Sequence, residues 1–340
     1  MPDAELVVVH SFGTQPEADI AKSALEAAGI DSMIQADTGG GMRPHLAWAG
    51  VGFQILVREH DLTRRGEAGA VTSGDRVVDY DRVAAGYDRR YDVLEYAGVG
   101  RALLEFVGDA HAILEVGCGT GHWLAMLAAR LQPSTERRAT APAERRARLI
   151  AGVEPSSEMI ARAQAAAPDA RLVRGRAEAL PWSDGTFDRV YCVNALHHFA
   201  DRAQFFAEAR RILKPGGALL SIGKDPHTDR DTWWVYDYFP ETLEIDRQRF
   251  ARVRTLRGEL TVAGFSWAES FEADRIEGLR SATDALANGI VHRAFTSQLA
   301  VLTGEEFDAG VARVRAANDA AGGELQLVTD FYLFGTIGRV

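Results

Sequence analysis

The stretch Ile113-Leu114-Glu115-Val116-Gly117-Cys118-Gly119-Thr120-Gly121 restricts the fold more than any other part of this chain. An apolar strand runs into three alternating glycines and then into a helical pattern. Glycine is required where the backbone turns sharply, or where a ligand must approach it with no Cβ in between. The helix that follows offers unpaired N–H groups and the positive end of its dipole, a seat for a carboxylate or phosphate. The spacing is G-x-G-x-G, whereas a dinucleotide-binding turn carries G-x-G-x-x-G. His122 stands where that motif wants its third glycine.

From this turn onward strands alternate with helices. Strands are predicted at 112–116, 149–153, 171–174, 187–193 and 217–222, with helices starting near Thr120, Ser156 and Asp201. Such alternation defines an α/β fold with a doubly wound, mostly parallel sheet. Later strand candidates are Phe265–Phe271 and Leu325–Ile337. Residues 77–107 read as two helices broken near Gly98-Val99-Gly100. An Arg-, Ala- and Pro-rich segment, 132–148, interrupts the alternation and reads as an inserted surface loop, with an anion- or RNA-binding patch as the alternative.

The first part of the chain reads differently. Residues 5–9 form a β-branched run, 15–28 have helical spacing, and strand-like pieces follow at Ser32–Ala36 and Val51–Arg58. This is a small α+β unit of β-α-β-β order. Residues 60–76 are polar and Gly-rich and read as a linker or a short closing helix. Two domains follow, 1–68 and 69–340, with a cap region at about 226–262.

Charge and cysteine usage limit the partners. There are 38 Lys and Arg against 48 Asp and Glu, a net charge of −10. An acidic chain is a poor generic binder of nucleic acid. Cys118 and Cys192 cannot build a disulfide framework, and no metal site is expected from two cysteines. They read as small buried fillers. With no basic-apolar leader and no long apolar run, the expectation is a cytoplasmic protein without membrane insertion.

Four further motifs follow the glycine turn. Glu154 closes the second strand of the alternation, where a carboxylate can accept hydrogen bonds from both hydroxyls of a ribose. Then come Ala177-Glu178-Ala179-Leu180-Pro181-Trp182 with Phe187-Asp188, Asn194-Ala195-Leu196-His197-His198-Phe199, and Leu213-Lys214-Pro215-Gly216-Gly217. In this order, over roughly 76–225, they resemble the class I S-adenosylmethionine-dependent methyltransferases of small molecules, the ubiquinone-biosynthesis type in particular. Tyr87-Asp88-Arg89-Arg90-Tyr91 resembles that family's N-terminal lid. The resemblance implies a seven-stranded Rossmann-like methyltransferase sheet, S-adenosylmethionine as cofactor and S-adenosylhomocysteine as product. It puts Gly117, Gly119 and Gly121 against the methionine end, Glu115 near its amino group and Glu154 on the ribose. It puts Ala177 and Glu178 at the adenine, Asn194 beside the sulfonium region and Tyr87 in the lid. Arg176 departs from the pattern, since relatives often carry an acid there. Residues 5–59 are similar to a small bacterial domain described as signal-transducing, which implies a regulatory, targeting or dimerising appendage.

Methyl transfer is an in-line displacement, so alignment and exclusion of water carry much of the acceleration. His197 and His198 are the candidates for a base where the acceptor has a proton to lose, or they shape the pocket. Trp233, Trp234, Tyr236 and Tyr238 follow the fifth strand of the alternation. They read either as aromatic walls for a substrate or as a plug that packs the cap onto the body. Arg249, Arg252, Arg254 and Arg257 read as a solvated helix face or as contacts to an anionic substrate. The resulting expectation is an enzyme, monomer or homodimer, that methylates a small molecule. The alternatives are a non-catalytic cofactor sensor and a nicotinamide-dependent oxidoreductase.

Overall fold

The computed structural model describes residues 6–12, 22, 32–36, 53–58, 78–131 and 148–340. The chain divides into two compact units, Met1–Thr72 and Ser73–Val340. The predicted helix over 15–28, apart from Lys22, lies outside the described residues. So do the linker over 60–76 and the insertion up to residue 147.

In the first unit, β1 (Leu6–Phe12), β2 (Ser32–Ala36) and β3 (Phe53–Arg58) form an antiparallel sheet with β3 in the middle. The three strands stand where the sequence predicts them, to within three residues.

The second unit opens with α1 (Tyr80–Val83), α2 (Arg89–Val93) and α3 (Ala97–Val107). The alternation follows as β4 (Ala112–Val116), α4 (His122–Leu131), β5 (Leu149–Glu154), α5 (Ser157–Ala166) and β6 (Arg171–Arg174). Next come β7 (Phe187–Val193), α6 (Arg202–Ile212) and β8 (Leu213–Gly223). The cap holds β9 (Thr232–Trp233), α7 (Trp234–Tyr238), α8 (Glu241–Arg249) and α9 (Val253–Val262). The chain ends with β10 (Trp267–Ser281), α10 (Ala282–Ala287), α11 (Ser297–Ala300), α12 (Gly304–Ala320) and β11 (Gln326–Arg339).

The sheet order is β10-β11-β8-β7-β4-β5-β6, with β9 joined to β11. Strands β4 to β8 pair in parallel, and β11 runs antiparallel to both β8 and β10. The strand order reverses between β4 and β7, and such a switch point opens a crevice at the carboxyl ends of the strands.

Alternation along the central strands supplies the two faces of the core. Ile113, Tyr191, Leu220 and Ile222 join one buried cluster with Leu103, Phe239 and Phe295. Leu114, Val190, Cys192 and Leu219 join the other with Phe205 and Phe206. Burial pushes the Cys192 thiol up to about 12 and raises Cys118 as well, so both behave as inert fillers. Side-chain caps set the helix starts: Ser156 accepts from Met159 N at 3.1 Å, and Asp201 from Gln204 N at 3.0 Å.

Two expectations change. The break predicted at Gly98–Gly100 is absent, because α3 runs through it. Gly98 serves close packing instead: a Cβ there would fall 2.5 Å from Ala273 O and from the Asp274 carboxyl. The chain breaks earlier, at 84–88 and 94–96. The four cap arginines do not share one helix. Arg249 ends α8, Arg252 precedes α9, and the other two lie within it.

Candidate active site

A cavity of about 630 Å³ opens at the switch point, between the ends of β4, β5 and β7 and the segment 78–93. Its floor is the glycine turn. Gly117 and Cys118 donate their N–H groups to Val153 O at 2.8 and 3.1 Å, which ties the turn to the end of β5. Gly117, Gly119 and Gly121 all have positive φ, the left-handed region that side chains resist. Their surroundings differ. A Cβ on Gly119 would meet only Tyr87, at 3.9 Å, and would otherwise project into open space. A Cβ on Gly121 would lie 2.9 Å from the Ala163 backbone, so this glycine lets α4 approach α5 and does not line the cavity.

Two carboxylates flank the turn. Glu115 is 1% exposed and accepts one hydrogen bond, from the Tyr191 hydroxyl at 3.1 Å. Burial, helped by neighbouring Glu154, holds its carboxyl well above the usual carboxylate range. Glu154 accepts from Gly119 N and Ser156 N, each at 3.1 Å. Burial raises it too, against the pull of those two donors.

Beyond β6, Ala177 and Glu178 line the rim. One Glu178 oxygen accepts from Ala200 N at 2.6 Å. The other lies 3.6 Å from Arg176, whose side chain is 69% exposed. The residue that departs from the family pattern thus pairs with Glu178 at the mouth. Asn194, at the end of β7, lines the wall with φ of +49°, a strained conformation of the kind found at functional sites.

The segment 78–93 covers the opening, held by a small apolar cluster of Ala84 and Tyr87 with Met159 and by polar contacts. Asp81 accepts from Ser156 Oγ at 2.5 Å, and Asp88 from Thr120 Oγ1 at 2.5 Å. Tyr91 stacks on His122 at 3.6 Å. The Arg90 guanidinium sits 3.8 Å over the Tyr87 ring and donates to the Tyr91 hydroxyl at 2.9 Å.

His197 and His198 both line the cavity. His198 is bonded on both ring nitrogens, Nε2 to the Tyr80 hydroxyl and Nδ1 to Arg249 Nη2 at 3.4 Å. His197 stacks on Phe250 at 3.8 Å, and its Nε2 is buried with no hydrogen-bond partner. Burial, then the nearby positive charges, holds both imidazoles well below their ordinary value, so both are neutral.

The four cap aromatics are not brought to this cavity. Trp233 packs on Phe331 and Tyr236, Trp234 packs on Phe239 and Phe295, and Tyr238 lies against the same cluster. The Tyr236 hydroxyl donates to buried Asp246 at 2.8 Å. Because β9 joins β11, the cap is drawn onto the sheet and its rings fill the core. Of the two readings open to them, the plug is the one these contacts describe.

Tyr80 and Arg90, given no role of their own in the sequence, also face the cavity, as does Arg249, alone of the four cap arginines. Arg90 lies inside the lid motif beside Tyr87 and was legible there. Tyr80 stands seven residues before it, with no motif of its own.

This crevice, with its two buried carboxylates, lies at the switch point of a Rossmann-like sheet. The family described as "Methyltransferase domain" matches residues 114–221, the stretch that builds the site. The demethylmenaquinone methyltransferase of Lactiplantibacillus plantarum is 31% identical over 156 residues, 42% of this chain and 60% of that protein. The enzyme of the same name from Thermotoga maritima is 28% identical over 171 residues, 48% of this chain and 68% of that protein. The chain thus spans about three-fifths to two-thirds of these relatives' lengths. A solved protein of Anabaena variabilis, described as a methyltransferase from an antibiotic biosynthesis pathway, superposes with a TM-score of 0.52. It is 20% identical over 70% of this chain and 95% of its own, a likeness of fold. The matched stretch lies within the second unit, Ser73–Val340, whose sheet is that of a Rossmann-like methyltransferase fold.

Proposed function

We propose that this protein transfers the methyl group of S-adenosylmethionine to a small-molecule acceptor. The observation that carries the reading is one cavity lined by the glycine turn and by Glu115, Glu154, Ala177 and Asn194, in the order a nucleoside joined to an amino acid requires. The donor set fits that molecule. Glu154 stands where a ribose diol would donate to it, and Gly119 leaves the space a Cβ would fill. Glu115 faces the position of an ammonium group, whose charge would compensate a buried carboxylate. Arg90, held among tyrosines and outside salt-bridge range of the described acids, suits a carboxylate above the turn.

When bound, the cofactor supplies a methyl carbon already activated by a positive sulfur. The protein's task is to align the acceptor and keep water out. The segment 78–93 closes over the site through Asp81, Asp88 and Tyr91. His198, with both nitrogens engaged, positions its neighbours. His197, with Nε2 unpartnered, is the residue that takes a proton where the acceptor has one to lose. The relatives named as demethylmenaquinone methyltransferases support an acceptor of low molecular weight. The unit Met1–Thr72 serves as a regulatory or dimerising appendage in this proposal, and the setting is the cytoplasm.

Calorimetry with S-adenosylhomocysteine tests the cofactor half. Glu154→Ala should weaken binding by about 1–3 kcal/mol. Unchanged affinity would refute the ribose assignment. Methyl-labelled cofactor with a host-cell extract tests the other half, the expected result being label in the small-molecule fraction. Label confined to RNA or protein would overturn the acceptor class. Cofactor binding without any label would favour a sensor.

A further inference from the structure

The cavity is lined by three acids and by three arginines, Arg90, Arg176 and Arg249. Glu115, Glu154 and Glu178 stand along the cofactor end, and each already accepts a hydrogen bond. Tyr80, His197, His198 and Arg249 form a further, contiguous end of the lining, joined by Gln248, and among its described residues there is no carboxylate.

Arg249 is the charged group of that end. It closes α8, and its side chain is 11% exposed. Its salt-bridge neighbour is Asp246, whose Oδ1 lies 3.8 Å from Nη1, beyond hydrogen-bond contact. The other Asp246 oxygen is engaged by Tyr236 at 2.8 Å and by Gln298 at 2.9 Å. Asp246 therefore steadies the guanidinium without occupying it. On the cavity side Arg249 Nη2 meets His198 Nδ1. An arginine only donates, so Nδ1 is the acceptor, Nε2 carries the hydrogen, and Tyr80 receives it. A neutral ring of fixed tautomer thus lies beside a guanidinium whose Nη1, despite the ion pair with Asp246, is buried with no hydrogen-bond acceptor. Leaving a buried charged donor without an acceptor is costly, and the cost is relieved when a ligand brings an anionic oxygen.

We propose that Arg249 selects the methyl acceptor, and that the acceptor is an oxygen acid bound as its anion, a phenolate, enolate or carboxylate. The inference rests on the methyltransferase reading above. The chemistry balances. An oxyanion lone pair forms the new O–CH₃ bond while the S–CH₃ bond breaks and its electron pair returns to sulfur. A cationic cofactor and an anionic acceptor become two products without those charges, and the acceptor's proton has already left to solvent. An enolate attacking through carbon balances in the same way. A base as weak as His197 suits this class, because the Arg249 charge makes the acceptor's proton labile before transfer. An ammonium acceptor would instead be desolvated against a guanidinium.

The test uses the full chain saturated with S-adenosylhomocysteine. 4-Nitrophenol is titrated in from about pH 5 to about pH 9, and the visible band of its anion reports ionisation. Nitrobenzene and 4-nitrobenzylammonium serve as neutral and cationic probes, and 4-nitrobenzoate tells a carboxylate site from a phenolate site. The expected result is at least about ten-fold tighter binding of an anion than of nitrobenzene. For the phenol this appears as ionisation about one pH unit lower than in solution. Arg249→Gln should abolish the preference and Arg249→Lys should keep part of it. Binding of S-adenosylhomocysteine by both variants, measured by calorimetry, shows that they fold. Equal binding of nitrobenzene or the ammonium probe, no uptake of either anion, or an unaltered preference in Arg249→Gln would overturn the assignment. Failure of the native chain to bind S-adenosylhomocysteine would refute the methyltransferase reading itself.

Discussion

Two glycines two residues apart, Gly119 and Gly121, separate function from packing within one turn. Both have positive φ, +52° and +82°. Alanine at either position meets the left-handed penalty of roughly 1–2 kcal/mol. At Gly119 little is added, since the nearest atom to the new Cβ is a Tyr87 ring carbon at 3.9 Å. At Gly121 the Cβ would lie 2.9 Å from both Ala163 Cα and Cβ, so α5 must shift. Overpacking of that kind adds about 1–3 kcal/mol. Gly119→Ala should therefore lose about 1–2 kcal/mol of stability, and Gly121→Ala about 2–5 kcal/mol. Affinity should run the other way. The Gly119 Cβ enters the cofactor cavity and should weaken S-adenosylhomocysteine at least about ten-fold, or about 1.4 kcal/mol. Folded Gly121→Ala should bind more nearly like the native chain. Urea midpoints and calorimetry on both variants measure the two effects. Native affinity in Gly119→Ala would refute the placement of the cofactor, and equal destabilisation of the two would refute the packing argument.

Further outcomes follow from buried charge. Glu115 has a raised folded-state pKa, so the unliganded protein loses stability as pH rises from the ordinary carboxylate range through the raised value. Glu115→Gln should lift the melting temperature at neutral pH more than near pH 4 while weakening the cofactor, and an equal lift at both would contradict it. His197 and His198 have lowered values, so unfolding takes up protons below about pH 6.5, and stability should fall as the solution is acidified through that point. His197→Asn should flatten the urea-midpoint profile there; an unchanged slope would count against a neutral His197. Trp234→Ala should cost about 3–5 kcal/mol of stability as a core truncation. A stable variant that loses acceptor binding alone would restore the substrate-wall reading.

The cofactor half of the site was legible because it is local. The glycines, Glu115 and Glu154 owe their positions to the strand ends that carry them, and the parallel register of β4 with β5 brings those ends together. The acceptor half depends on partners distant in sequence. Trp234 reads equally well as roof or plug until Phe295 and α12 arrive, and Gly310 lets α12 come so close that a Cβ there would fall 2.0 Å from the ring of Phe239, on which Trp234 packs. Gly98 read as a helix break for the same reason: the feature that needs it, β10 at Ala273 and Asp274, lies more than a hundred residues further on. Arg249 was one of four cap arginines with no spacing to distinguish them. What sets it apart is Asp246 one turn earlier, held by Gln298 from α11 and Tyr236 from α7, together with His198 on the far side. A charge acquires a role when the fold decides which of its neighbours are already taken, and that accounting is tertiary.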